Sequence, residues 1–109
     1  MVDSFAIVSH SCHVIEVRQT ATFSGWLAGL RDVRAQARVA ERLRRLALGN
    51  TGDTRSVGDG VSELRIDYGP GYRAYYTRRG QEIVVLLCGG DKSTQASDIK
   101  AAKALAKEL

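Results

Sequence analysis

The chain has 109 residues, 44% of them hydrophobic and 26% charged, with a single proline, which suits one domain with its own core and excludes wholesale disorder. A net charge of +4 and a pI of 9.4 favour polyanionic partners without requiring one. No stretch reaches the roughly 18 apolar residues of a membrane span, and the apolar run Phe5 to Val8 is too short for a signal peptide, so a cytoplasmic protein with no membrane partner is expected.

Residues 1–13 have no clear period and read as an extension, disordered or produced by a start codon assigned too far upstream; residues 14–109 form the domain. His10, Cys12 and His13 lack a fourth ligand at workable spacing, so no metal or other cofactor is expected. Two cysteines make no disulfide framework, and Cys88, ending the run Ile83 to Leu87, reads as a small buried hydrophobe. Val14 to Gln19 alternates as a strand. Phe23, Trp26, Leu27 and Leu30 then recur with helical spacing, with Thr20 or Thr22 as N-cap.

Asp32 can cap a second helix reaching about Leu48, with Val39, Leu43, Leu46 and Ala47 on its apolar face and Gly49 as its stop. Arg34, Arg38, Arg42 and Arg45 share its opposite face. Only Glu41 offsets them, so the row is either a solvated surface or an electrostatic footprint for RNA. A Gly- and Asp-rich connector follows, with a short extended piece at Arg55 to Val57.

Val61 to Tyr68 puts Leu64 and Ile66 on one face and Glu63, Arg65 and Asp67 on the other. Gly69-Pro70-Gly71 turns the chain, and Tyr72 to Thr77 puts Arg73, Tyr75 and Thr77 on one side. Glu82 to Cys88 is apolar on both faces, as a central strand would be. After a turn at Gly89-Gly90-Asp91-Lys92, Ile99, Ala102, Leu105 and Ala106 stripe a last helix. The expected fold is α+β, in the order β-α-α-β-β-β-α. A small, mostly antiparallel sheet carries helices on one face and charged strand residues on the other.

Several strings in this order carry a family resemblance: Arg44-Arg45-Leu46 leading to Leu48-Gly49-Asn50, then Gly52-Asp53, then Gly60 to Ile66. Tyr68-Gly69-Pro70-Gly71-Tyr72-Arg73 and Leu87 to Lys92 complete the set. The chain resembles the RelE/ParE toxin superfamily, and within it the phage Gp49-like, HigB-type addiction module killer proteins, over roughly Val14 to Leu109. The resemblance implies the RelE-like fold and a type II toxin, neutralised by an antitoxin from the adjacent gene that carries a helix-turn-helix domain. It further implies a metal-independent endoribonuclease that cuts mRNA on the ribosome. The alternative is a toxin that inhibits DNA gyrase by protein binding, as other members of the superfamily do.

Metal-free RNA cleavage needs a proton acceptor for the 2′-OH, cations for the charge growing on phosphorus, and an acid for the departing 5′-oxygen. The family's site arginine maps onto Arg73, and Arg65 and Lys92 match further basic positions. Guanidinium groups suit the phosphate. The glycines before Lys92 would let it approach the backbone. The chain departs from RelE-type relatives at Glu63, where they carry a lysine, and at Ser97-Asp98-Ile99, where their late tyrosine has no counterpart. Glu63 or Asp91 is then the candidate base, Lys92 the acid, and Tyr75 a platform for a base. For Glu63, Arg65, Asp67 and Arg73, ordinary ion pairing is the competing reading.

Overall fold

The computed structural model describes residues 15–109; the readings made for residues 1–13 lie outside it. Strand β1 (Glu16–Gln19) is followed by helices α1 (Ala21–Ala28) and α2 (Val33–Ala47), then strands β2 (Thr54–Gly58), β3 (Val61–Ile66), β4 (Tyr72–Arg79) and β5 (Ile83–Gly90). A 3-10 turn (Lys92–Thr94) leads into helix α3 (Gln95–Lys107). Among the described residues the five strands form one sheet in the order β1-β5-β4-β3-β2, parallel at β1–β5 and antiparallel elsewhere.

The helix starts follow from their caps. The Thr20 hydroxyl accepts the Phe23 N–H at 3.1 Å and donates to the Leu87 carbonyl at 2.6 Å, so one side chain both starts α1 and pins it to β5. Asp32 caps α2 by accepting from the N–H groups of Arg34 and Ala35. Gly49, at φ +88°, ends α2 in the left-handed region open to glycine.

Two cores result. Phe23, Val39, Leu43 and Leu46 of the first two helices pack on Leu64, Ile66, Ala74, Tyr76, Val84 and Leu86. On the opposite face Ala102, Ile99, Leu105 and Ala106 of α3 cover Val61, Tyr75, Leu87 and Cys88. Each fully buried large apolar side chain contributes about 1.5–3 kcal/mol, so both faces need their helices. Helices therefore lie on both sides of the sheet, which corrects the one-sided packing expected from sequence. A bulge makes the second core possible: Tyr75 pairs with Cys88 but Tyr76 with Leu86. Leu87 is the extra residue, and it joins Cys88 on the α3 side. The second difference is β2, a full edge strand where only a short extended piece was expected.

Gly89 and Gly90 are the last residues of β5, paired with Ala74 and Arg73, rather than part of a turn. A Cβ on Gly89 would sit 2.3 Å from the Trp26 ring, and one on Gly90 1.8 Å from Asp98 Oδ2. The pair is small so that α1 and α3 can close on the sheet, not to admit a phosphate. Gly89→Ala should therefore force Trp26 out of its seat and cost about 1–3 kcal/mol or more. Urea unfolding of the variant checks this, and an unchanged midpoint would refute it.

Candidate active site

The β3–β4 register sets Arg65 directly opposite Arg73 on the α3 side of the sheet, at the end that the helix leaves open. Two like charges in that relation repel unless a counter-charge joins them. Glu63, two residues before Arg65 on the same face, supplies it and is fully buried. Its Oε1 accepts from Arg55 Nε at 3.1 Å and Arg65 Nε at 3.2 Å. Its Oε2 accepts from the Tyr75 hydroxyl at 3.1 Å and Gln95 Nε2 at 2.9 Å, and lies 3.4 Å from Arg73 Nε in an ion pair without hydrogen-bond geometry. Burial would push this carboxyl upward, but the bonds from Arg55, Gln95, Arg65 and Tyr75 win and hold it at about 2. A carboxylate so saturated is a poor base.

The sequence-level site splits accordingly. Arg65, Arg73 and Lys92 line one open cleft of about 410 Å³ beside the Gly69-Pro70-Gly71 turn. Glu63 and Asp91 do not line it. Asp91 caps the 3-10 turn, accepting from the Ser93 N–H at 2.8 Å and the Ser93 hydroxyl at 2.5 Å, and its pKa is lowered chiefly by that hydroxyl. Both carboxylates are engaged in holding the structure, which argues against either as the base.

Tyr75 is fully buried, so it has no face free for a nucleobase, and the stacking role is withdrawn. Burial, then the charge of Glu63, raise its phenol. Cys88 is buried as expected, its thiol pushed by burial up to about 11.

The arginine row of α2 is not uniform. Arg42 donates to the carbonyls of Arg65 and, at 3.0 Å, of Thr51, tying the helix to the segment that carries the cleft. Arg45 pairs with Glu41 at 3.2 Å, as does Arg44 at 2.8 Å, and Arg38 lies over the Tyr68 ring at 5.2 Å. A shallow groove of about 220 Å³ runs between Arg38, Arg42, Arg45 and the end of β3, and shares Ile66 and Asp67 with the cleft. Arg34 lines neither. Arg42→Ala should thus cost about 1–3 kcal/mol by stranding two carbonyls. Arg34→Ala, by contrast, should stay within about 0.5 kcal/mol. Thermal melts of the two variants that coincide would refute this division.

Four residues of the site went unmarked as such in the sequence. Arg55 faces Glu63 across β2–β3, a signal visible only once β2 is recognised as a strand. Gln95, in the first turn of α3, carries no sequence signal for its role. Asp53 and Asp67 also line the cleft. Among the described residues no three His, Cys, Asp or Glu side chains gather as metal ligands.

The profile of the phage-derived Gp49-like proteins matches residues 26–109, which take in the whole cleft, the buried Glu63 beside it and α3. The chain belongs to the Gp49-like family. An uncharacterized protein from Haemophilus influenzae is 54% identical over 95 residues, covering 87% of this chain and 96% of its own. Among solved structures, a chain of the toxin–antitoxin complex RelBE2 from Mycobacterium tuberculosis shares 27% identity. It superposes with a TM-score of 0.53 over 72% of this chain and 99% of its own. The Gp49-like chain thus has a RelE-like α+β fold, and no helix among its described residues is long and apolar enough to cross a membrane.

Proposed function

We propose that this protein is the toxin of a toxin–antitoxin pair and that it cuts mRNA on the ribosome without a metal. Membership of the Gp49-like family and similarity to a chain of a toxin–antitoxin complex support the first part. The second part is carried by one observation: Arg65, Arg73 and Lys92, from three separate segments, converge on a single open cleft. A protein that poisons gyrase by binding it needs no such cluster of phosphate ligands.

In this reading the two guanidinium groups hold the phosphate as the 2′-oxygen attacks phosphorus and negative charge builds on its oxygens. Lys92 gives a proton to the departing 5′-oxygen. The 2′-OH proton goes to one of the cleft's own carboxylates, Asp53 or Asp67, since Glu63 and Asp91 are occupied. RNA flanking the cut lies toward Arg38 and Arg45, whose groove continues the cleft. The partner is an antitoxin, expected as a helix-turn-helix protein from the adjacent gene, and the site of action is the cytoplasm.

Induced expression in a bacterial host, with mapping of new mRNA 5′-ends on ribosomes, tests the proposal. Cuts within the codon in the ribosomal A site are expected. Growth arrest with intact mRNA and stalled DNA synthesis would replace this reading with gyrase inhibition, and normal growth would refute both.

A further inference from the structure

All three arginines around Glu63 approach it through the same atom. Arg55, Arg65 and Arg73 each present Nε, at 3.1, 3.2 and 3.4 Å, rather than the terminal fork that usually grips a carboxylate. Arg73 also donates one terminal nitrogen, Nη1, to the Gly71 carbonyl at 3.0 Å. Both terminal nitrogens of Arg65 are without a protein partner among the described residues, and both side chains line the cleft. Arg55 and Gln95 complete the carboxylate's coordination from β2 and from α3.

We propose that Glu63 is a positioning residue: by holding the Nε edges from beneath, it turns the terminal nitrogens of Arg65 and Arg73 toward the cleft, where a phosphodiester would be held. The role rests on the nuclease reading for its consequence but not for its geometry. Arginine side chains are long and lose much rotamer freedom when fixed, so fixing them beforehand spares that cost when substrate arrives. A neutral or apolar residue at this position would leave two opposed guanidinium groups free to swing apart. The charge balance also fits the task. One carboxylate against three arginines leaves the cluster a net cation, attractive to a phosphate whose charge grows during reaction.

The test uses Glu63→Gln, which keeps the shape and removes the charge, and Glu63→Asp, which keeps the charge and shortens the reach. The first readout is nitrogen-15 NMR of the arginine Nε–H groups in the free protein. Slowly exchanging signals from Arg55 and Arg65, whose Nε–H groups donate to Glu63, are expected in the wild type and lost in the Gln variant; their absence from the wild type overturns the proposal. The second readout is single-turnover cleavage of mRNA on programmed ribosomes, per folded molecule. The Gln variant should cut roughly a hundred-fold more slowly at saturation, with unchanged half-saturation and the same pH profile, and the Asp variant should recover part of the rate.

A folded Gln variant that cuts at the wild-type rate overturns the proposal. So does one that loses the acid limb of the pH profile, which would make Glu63 the proton acceptor. If the wild type leaves mRNA intact while the two NMR signals behave as expected, the nuclease reading fails and the positioning geometry stands.

Discussion

Arg73→Ala is expected to abolish mRNA cleavage, by roughly a hundred- to a thousand-fold or more, the usual loss when one preorganised donor to a developing oxyanion is removed. Arg73 is the best seated of the cleft cations. Its side chain is 12% exposed, against 39% for Arg65, so its position before substrate arrives is the better defined. It pairs with Gly90 on β5 and stands opposite Arg65, so its backbone is held from both sides. Antitoxin binding should be largely retained, because a protein–protein interface of ordinary size takes in about 20–30 residues a side. Arg73→Lys, which keeps the charge without the planar fork, should retain only a small part of the activity. Mapping mRNA 5′-ends after induction measures the loss, and co-purification with the antitoxin shows that the variant is folded. Full toxicity of a folded Arg73→Ala protein would remove this residue from the chemistry.

Glu63→Ala should give the largest change in stability, about 3–5 kcal/mol, because it leaves Arg55, Arg65 and Arg73 without their shared counter-charge. Domains of this kind are stable by only about 5–15 kcal/mol, so the variant should unfold at a much lower urea midpoint. The same group predicts an acid dependence. Its carboxyl is lowered from an ordinary 4.5 to about 2 in the folded protein, so the unfolded chain takes up the proton first. The stabilisation is therefore complete above about 4.5 and disappears as the pH falls toward 2. Urea titrations across that range should show this loss in the wild type, and a shallower one in Glu63→Gln. Equal slopes for the two proteins would mean that Glu63 is not held as described.

Much of the site was legible because a strand alternates. The spacing of Glu63, Arg65, Arg73 and Tyr75 put all four on one face, and the structure keeps them there. Alternation could not say what covers that face. Strand β4 sets the side on which Tyr75 faces, and α3, 20 or more residues later, buries it. The expected platform for a base is instead a prop beneath Glu63.

The glycine pair failed for a similar reason. Gly89 and Gly90 are small because Trp26 and Asp98 arrive from distant parts of the chain, and no local pattern records that approach. Strand β2 was half seen because Thr54–Gly58 buries little and has no clean alternation, as an edge strand can afford. Arg55 was lost with it. Arg42 looked like its neighbours on the helix surface, and only the fold shows that its donors are spent on carbonyls.

The parallel pairing of β1 with β5 has a consequence for synthesis. The first strand of the domain must wait for the last before it finds its neighbour, and β5 also carries the chain into Lys92. Contacts between such distant segments form late, and a growing polypeptide lacks them altogether. A nascent chain still short of β5 has neither the complete sheet nor all three cleft cations, Arg65, Arg73 and Lys92. On the proposed function, the ribosome that makes this protein meets a complete cleft only after β5 and Lys92 have been synthesised.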